Sequence, residues 1–198
     1  ESLRWRLQKG FKCSSSFTGL GNRQWLVMVG VGLSGWNNYY IINVCLMIPI
    51  NTQLPIAVGF VDSRQGGRAE NQDTCGYADT PLGLLVVVCD GMGGGPSGKA
   101  ASSTATDVII QTVRSGKLSD SPLTVLQQAI KMANQALISE IQKKPALRGM
   151  GTTVTALLIN EYSAIAAYVG DSRIYQFRRG HKKFRTFDHS IGFRDGQE

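Results

Sequence analysis

The stretch Leu84-Leu85-Val86-Val87-Val88-Cys89-Asp90-Gly91-Met92-Gly93-Gly94-Gly95 decides how this chain folds. Its first six residues are apolar and rich in valine, which predicts a strand covered on both faces or a strand in a sandwich core. The run ends at an acid, and a glycine cluster follows. Ser97 is then placed to cap a helix, so the stretch predicts a strand, a tight turn and a helix start in direct succession.

Two helices are predicted after this turn. The first ends near Ser115-Gly116, and the second begins at Ser121-Pro122 and ends at Lys143-Lys144-Pro145. Each carries apolar residues at helical spacing, and we interpret both stripes as core-packing faces. The first stripe comprises Ala101, Ala105, Val108, Ile109, Thr112 and Val113, and the second comprises Leu123, Leu126, Ala129, Ile130, Ala133, Leu137, Ile138 and Ile141.

Strand-like segments stand on both sides of the helical pair. Residues 56–61 precede it and run into a polar turn that contains glycine. The segments that follow it cover 152–160, 164–169, 174–177 and 184–187. This order of strands, two helices and a meander of hairpins favours an α+β fold with antiparallel sheets over alternating parallel βαβ units.

The first 55 residues do not resemble the rest of the chain. We interpret 1–55 as an unassigned hydrophobic extension and 56–198 as the folded domain. Residues 24–61 carry no charge, but the polar stretch 34–38 interrupts the run of about 20 apolar residues that a membrane helix needs. Strands or an irregular extension are expected there, with membrane contact as the alternative.

The distribution of charge and the spacing of the cysteines exclude several classes of protein. The chain has 198 residues and a net charge of +7, yet residues 24–177 hold ten residues of each sign, so the excess lies at the two ends. No nucleic-acid partner is predicted, because no RNA motif or helical basic stripe accompanies those ends. Cys13, Cys45, Cys75 and Cys89 have neither zinc-site nor disulfide-framework spacing, which suits a reducing cytosol and predicts a cytoplasmic location.

The glycine-rich loop matches two nucleotide-binding motifs incompletely. Gly93-x4-Gly98-Lys99 fits the opening of a P-loop, but position 100 is alanine where a magnesium-binding hydroxyl is needed. Gly93-x-Gly95-x-x-Gly98 fits a dinucleotide fingerprint, but the expected second strand ending in an acid is missing. A P-loop nucleotide-binding protein therefore stays an alternative that lacks the required βαβ pattern.

Three aspartates indicate a different chemistry. Asp90 directly follows the buried strand, Asp73 lies in Arg68-Ala69-Glu70-Asn71-Gln72-Asp73, and Asp171 lies in Gly170-Asp171-Ser172-Arg173 after another strand. Carboxylates at strand ends and in adjoining loops can converge on one edge of a sandwich, where hard divalent cations take oxygen ligands. Gly91 would let its carbonyl approach a metal, and Arg68 could supply a planar fork for a phosphate oxygen.

Five segments of the chain follow one another in a recognisable order. They are Arg68-Ala69-Glu70-Asn71-Gln72-Asp73, Val88–Gly94 with Ser97-Gly98 and Ala100-Ala101-Ser102, Gly149-Met150-Gly151-Thr152-Thr153, Tyr168–Tyr175 and Thr186–Ser190. In this order they resemble the motifs of PPM-type (type 2C-like) metal-dependent protein serine/threonine phosphatases, closest to the bacterial branch. The resemblance implies a four-layer α-β-β-α sandwich with antiparallel sheets, two long helices and a manganese or magnesium centre on one edge.

The resemblance also implies a role for each matching residue. Asp90 would bridge two metal ions, and Gly91 would donate its carbonyl to them. Asp73 would hold one ion through water, and Asp171 would help to hold a third ion. Arg68 would bind the substrate phosphate. The implied reaction is hydrolysis of phosphoserine or phosphothreonine by a metal-activated water, and the implied substrates are proteins phosphorylated by a serine/threonine kinase.

The chain also departs from the family pattern. The family's domain continues beyond the Asp-His-Ser motif with further metal-binding acids, whereas this chain stops at Glu198, so an incomplete, truncated domain is expected. The alternative function is then a catalytically incomplete domain that binds phosphoproteins or kinases. Thr152 and Thr153 are expected to pack and to bond the backbone, and His181 and His189 to be surface or structural residues rather than ligands.

Overall fold

The structure is a computed structural model that describes residues 26–30, 48–50, 59–61, 63, 70–93, 96–160, 163–178 and 181–189. Within these ranges it contains ten strands, two long helices and a single 3-10 turn at Pro145–Leu147, so the predicted α+β class is confirmed. In chain order the elements are β1 (Leu26–Gly30), β2 (Ile48–Ile50), β3 (Gly59–Val61), β4 (Asp73–Thr80), β5 (Gly83–Met92), α1 (Pro96–Arg114), α2 (Pro122–Lys143), β6 (Gly151–Thr152), β7 (Val154–Ile159), β8 (Ala164–Val169), β9 (Arg173–Arg178) and β10 (His181–Arg185).

The central sheet is built around β5, which contains the apolar run. Strand β5 pairs antiparallel with β4 on one side and with β7 on the other, and β8 pairs antiparallel with β7. The short strand β6 pairs with the last two residues of β5. The antiparallel pairing is as predicted, but the predicted meander is divided into two hairpins, because β7 and β8 belong to this sheet and β9 and β10 to another. The antiparallel neighbours of β5 contradict the parallel βαβ unit that a P-loop or dinucleotide-binding reading of the glycine loop requires.

The two helices cover one face of the central sheet. Successive residues of a strand point to opposite faces, so alternate apolar residues of β5, β7 and β8 meet the helices. Helix α2 begins as predicted, with the Ser121 hydroxyl accepting from the Thr124 amide at its start. The apolar stripes are confirmed for the residues that are buried, namely Ala101, Ala105, Ile109, Val113, Leu126, Ala129, Ile130, Ala133 and Leu137.

Two members of the second stripe were predicted wrongly. Leu123 and Ile138 are 38% and 40% exposed. Ile138 is rotated by about 100° from the buried Leu137 around the helix axis, which turns it away from the sheet. Leu123 lies in the first turn, at the margin of the stripe. An apolar residue next to a helical stripe is therefore not always part of the core.

A second sheet packs on the opposite face of the central sheet. Ile174 of β9 is buried against Leu157 of β7 and Ala166 of β8. Strand β9 pairs antiparallel with β1 and with β10. The described residues thus supply helices, central sheet and second sheet, which are three of the four layers that the resemblance implies.

The strand positions agree with the predictions in part. Strand β8 has the predicted bounds, the segment 152–160 is divided into β6 and β7 at Thr153, and β10 begins at His181 instead of 184. Strand β4 was missed, because its sequence Asp-Thr-Cys-Gly-Tyr-Ala-Asp-Thr is polar and contains glycine. It forms as an edge strand whose partner β5 supplies the apolar surface.

Most of the predictions for residues 1–55 lie outside the described residues. Strands β1 and β2 fall within that segment, but the domain boundary at 55 and 56 stays a prediction, as does membrane contact. Neither α1 nor α2 has a stretch apolar enough to cross a membrane.

Candidate metal centre

Asp73 and Asp90 lie directly opposite each other on neighbouring strands. Asp73 is the first residue of β4 and is paired in register with Asp90, near the end of β5. Residues opposed in this way carry their side chains on the same face of the sheet, and two like charges there destabilise the pair. A divalent cation between the carboxylates would remove that repulsion, and carboxylate oxygens are ligands that such cations prefer. The structure thus brings together two of the predicted ligands.

The main chain of Asp90 is clamped by the segment between β6 and β7. The amide of Asp90 donates to Oγ1 of Thr153 (3.0 Å), and the amide of Thr153 donates to the Asp90 carbonyl (2.9 Å). The Thr152 hydroxyl donates to the same carbonyl (2.9 Å). The prediction that these threonines bond the backbone is confirmed. Their hydrogen bonds fix the main chain of Asp90 near the end of β5.

The main chain of Asp73 is held by two side chains. Its amide donates to Oδ1 of Asn71 (3.0 Å). Its carbonyl accepts from Nζ of Lys99 (2.8 Å), which also donates to the Thr74 hydroxyl (3.1 Å). Lys99, the residue that suggested a P-loop, therefore joins the first turns of α1 to β4. Sequence reasoning missed Asn71 and Lys99 as supports, although Asn71 lies inside the motif that carries Asp73.

Gly91 and Gly98 allow α1 to touch the end of β5. A Cβ on Gly91 would lie 2.0 Å from the carbonyl oxygen of Gly98, and the Gly91 amide donates to the carbonyl of Gln72 (3.3 Å). The Ser102 hydroxyl of α1 donates to the same Gln72 carbonyl (2.6 Å). The glycine motif therefore serves close packing of a helix on a strand, beside the two aspartates.

Asp171 lies on the turn between β8 and β9, where its side chain is exposed. The Ser172 hydroxyl in this turn is 2.6 Å from Oγ1 of Thr153, the same atom that accepts from the Asp90 amide. Thr153 thus connects the turn to the β5 end. Among the described residues, however, no three Asp, Glu, His or Cys side chains group closely enough to hold one ion. Asp171 as a ligand stays a prediction, and Arg68 lies outside the described residues.

Asp188 and His189 contact the segment around the Asp171 turn. Arg173 donates from Nε to Oδ1 of Asp188 (2.7 Å) and from Nη2 to Oδ2. The hydrogen bond from Arg173 holds the pKa of Asp188 below its usual value, and the same bond raises the pKa of Arg173. His189 stacks on Tyr168, which confirms a structural role for this histidine.

Cys89 adds no charge to this region. Burial raises its pKa to about 11, so the thiol is neutral at physiological pH although it directly precedes Asp90. Its side chain belongs to the core between the central sheet and the helices.

Comparison with known proteins places the chain in a family. The sequence model of the family described as protein phosphatase 2C matches residues 62–192. A Streptococcus pyogenes protein named as a 2C-type protein phosphatase is 39% identical over 127 residues, which are 63% of this chain and 51% of that protein. The match to the family model covers well over half of the chain.

Solved structures agree with the sequence match. The Mycobacterium tuberculosis serine/threonine phosphatase PstP superposes with a TM-score of 0.55 at 32% identity, covering 62% of this chain and 50% of that one. The PstP catalytic domain in complex with two manganese ions gives a TM-score of 0.54 at 33% identity, covering 61% and 51%. The chain spans about half the length of these relatives. It belongs to the protein phosphatase 2C family, and the resemblance to bacterial PPM-type serine/threonine phosphatases is confirmed.

Proposed function

We propose that this chain carries the metal-binding edge of a phosphatase that hydrolyses phosphoserine and phosphothreonine in proteins. The observation that carries the proposal is the register pairing of Asp73 with Asp90 beside the close contact of Gly91 with α1. A pair of opposed carboxylates at the end of a strand brings oxygen ligands of the kind that divalent cations prefer to one place. Family membership supplies the reaction type.

The donor set fits a hard divalent cation. Asp73, Asp90 and the Gly91 carbonyl would hold two Mn²⁺ or Mg²⁺ ions, and Asp171 would help to hold a third. All of these donors are oxygens, as both ions prefer. The related PstP catalytic domain was solved with two manganese ions, which supports this assignment. When bound, such ions lower the pKa of a coordinated water toward about 7 and offset charge on phosphoryl oxygens.

The chain's own residues orient these ligands. Three hydrogen bonds between the Asp90 main chain and Thr152 or Thr153 fix the Asp90 backbone, and Asn71 and Lys99 fix that of Asp73. Residues that orient ligands in this way commonly matter for metal affinity almost as much as the ligands do. Arg68, five positions before Asp73 in the sequence, would bind the phosphate oxygens through its planar guanidinium.

The test replaces Asp90 with asparagine and makes the same substitution at a second aspartate as a control. Asp90→Asn in the full chain should lower manganese-dependent hydrolysis of para-nitrophenyl phosphate and of a phosphothreonine peptide by about a thousandfold, which corresponds to about 4 kcal/mol. Manganese binding measured by calorimetry should fall with it. Asp79→Asn is the control, because Asp79 is an exposed acid at the other end of β4. This variant should keep both properties.

Two outcomes would contradict the proposal. Hydrolysis that survives Asp90→Asn would show that the reaction does not need this carboxylate. Phosphopeptide binding without turnover, in a chain that binds manganese weakly, would instead favour a catalytically incomplete domain that docks phosphoproteins or kinases. The observation that favours a test of this second function is that no three Asp, Glu, His or Cys side chains group closely enough to hold one ion among the described residues.

We further propose that the substrates are proteins phosphorylated by a serine/threonine kinase. We also propose that the chain acts in the cytoplasm. The cytoplasmic proposal is supported by the free thiols of Cys75 and Cys89 on paired strands. Labelling of thiols with a membrane-impermeant maleimide before and after cell lysis would test it. Labelling of the chain in intact cells would contradict a cytoplasmic location.

A further inference from the structure

His189 satisfies both main-chain groups of Gly170, the residue before Asp171. The Gly170 amide donates to Nδ1 of His189 (3.4 Å), and the His189 amide donates to the Gly170 carbonyl (3.0 Å). The imidazole ring also stacks on Tyr168, with centroids 4.9 Å apart and 16° between the planes. Because Nδ1 accepts, the neutral ring carries its proton on Nε2. One residue from the Asp-His-Ser motif therefore fixes the start of the Asp171 turn.

Gly170 has no freedom to find another arrangement. Its φ is +100°, a conformation that favours glycine, and a Cβ there would lie 2.7 Å from Cγ2 of Thr153. Gly170 is also buried, so its amide needs an acceptor within the protein. The acceptor in the structure is His189, and loss of that nitrogen would leave a buried donor without its partner.

The other end of the turn is held by Thr153. The Ser172 hydroxyl lies 2.6 Å from Oγ1 of Thr153, which in turn accepts from the Asp90 amide. Asp171 is thus an exposed residue between two anchored neighbours. Its position relative to Asp90 is set by Thr153 on one side and by His189 on the other.

We propose that His189 is a positioning residue for cation binding at Asp171. It acts by accepting a hydrogen bond from the Gly170 amide at Nδ1, which holds the 170–172 turn in the arrangement that orients the Asp171 carboxylate. This inference rests on the proposed function, because it takes Asp171 as a metal ligand. It assigns His189 a role in metal affinity through its bond to the Gly170 backbone.

Two substitutions separate the acceptor from the ring stack. His189→Phe keeps an aromatic ring against Tyr168 but removes the acceptor, whereas His189→Asn places an amide oxygen near the Nδ1 position without the ring. In the full chain, His189→Phe should weaken manganese binding at the weakest site by about tenfold, the range typical of residues that orient a ligand. His189→Asn should bind manganese as the unmodified chain does. His181→Phe, at an exposed histidine on β10, is the matched control.

A double variant tests whether the effect runs through Asp171. If it does, adding His189→Phe to Asp171→Asn should cause no further loss of manganese affinity. A further loss of the same tenfold would overturn the proposal, and so would unchanged manganese binding in His189→Phe alone. Equal losses in His189→Phe and His189→Asn would also overturn it, because the acceptor would then not be the property that matters.

Hydrogen exchange in metal-free protein separates this inference from the proposed function. Amides of 170–172 should exchange faster in His189→Phe than in the unmodified chain, and His189→Asn should restore slow exchange. This readout does not need activity, so it remains decisive if the chain neither binds manganese nor hydrolyses phosphoesters. Unchanged exchange in His189→Phe would show that the histidine does not fix the turn. Thermal unfolding of each variant should show that a substitution at the exposed residue His189 leaves the fold intact.

Discussion

The strand ends that carry Asp73 and Asp90 are held together differently from the turn that carries Asp171. Around Asp90, the contacts are main-chain hydrogen bonds, threonine hydroxyls and a helix pressed against Gly91. Around Asp171, the supports include an ion pair between Arg173 and Asp188 whose side chains are 32% and 35% exposed. The first region lies in close contact with α1, whereas the second also depends on a partly exposed ion pair.

This difference indicates how each region should respond to change. A substitution at the strand ends must disturb packing between β5 and α1, so it should lower the stability of the whole domain. A substitution in the turn should act locally, on the position of one carboxylate. Thr153 belongs to both regions, since its hydroxyl contacts Asp90 and Ser172. It is the residue through which the two regions are coupled.

The largest effect is expected from Gly91→Ala. The added Cβ would lie 2.0 Å from the Gly98 carbonyl oxygen and 2.5 Å from its carbon, and both are backbone atoms that cannot move unless α1 shifts. Overpacking costs about 1–3 kcal/mol and sometimes more, and we expect at least the upper value here. Thermal unfolding followed by circular dichroism should show a loss of about 2–4 °C for each kcal/mol.

Gly149→Ala is the matched control for this prediction. Gly149 has a φ of +85°, but nothing lies within 4 Å of the position that an added Cβ would take. Only left-handed backbone strain remains, at a cost of about 1 kcal/mol. An unfolding temperature for Gly91→Ala no lower than that for Gly149→Ala would show that α1 can retreat from the strand end without cost.

Thr153→Val should give the next largest loss. The substitution keeps the shape of the buried side chain but removes the acceptor of the Asp90 amide and the partner of the Ser172 hydroxyl. Each buried polar group left without a partner costs about 1–3 kcal/mol, so the two groups together should lower the free energy of unfolding by at least about 2 kcal/mol. Urea unfolding measures it.

Thr155→Val provides the comparison for Thr153→Val. Thr155 is equally buried, and its hydroxyl donates to the carbonyl of Val88. Its replacement removes one neutral hydrogen bond, at about 1 kcal/mol. Equal losses in the two variants would mean that Thr153 is an ordinary core threonine and that the two regions are not coupled through it.

The sequence predicted those elements whose own residues show the pattern of burial that they have in the fold. The apolar run of β5 and the stripe of α2 show their burial in their own residues, so both elements were found; α2 has nearly the predicted bounds, whereas β5 continues through Asp90 to Met92. Strand β4 was missed because its pairing partner, rather than its composition, makes it a strand. The pairing of Asp73 with Asp90 likewise appears only once that strand is placed.

The residues that hold the main chain of the site in place were even harder to predict from the sequence than the strands. Lys99 looked like part of a phosphate-binding loop, and its bond to the Asp73 carbonyl depends on how α1 crosses β4. The contact of His189 with Gly170 joins residues of two separate motifs, and a single sequence gives no signal for that pairing. Motif order indicated which residues matter, whereas tertiary contacts show how they are held.

The smallest effect is expected from Asp188→Asn, which removes the charge from the ion pair with Arg173. Both side chains are about a third exposed, so solvent screens the pair and the loss should be about 0.2–1 kcal/mol in the free energy of unfolding at neutral pH. The hydrogen bond from Arg173 lowers the pKa of Asp188 below its ordinary value of 3.8. The stabilisation is therefore complete above about pH 4 and is lost as the pH falls through the lowered pKa.

Chemical unfolding of both proteins across this range tests the sign of that argument. The stability difference between the unmodified chain and Asp188→Asn should be constant near neutral pH and should shrink below about pH 4, because the protonated carboxyl then resembles the amide. Glu140→Gln on α2 removes a similarly exposed acid, paired with Lys143 and Lys144, and controls for a general loss of surface charge. A stability difference that persists in acid would mean that Asp188 supports the turn by its shape and not by its charge. The Asp171 turn would then be held in much the same way as the strand ends that carry Asp73 and Asp90.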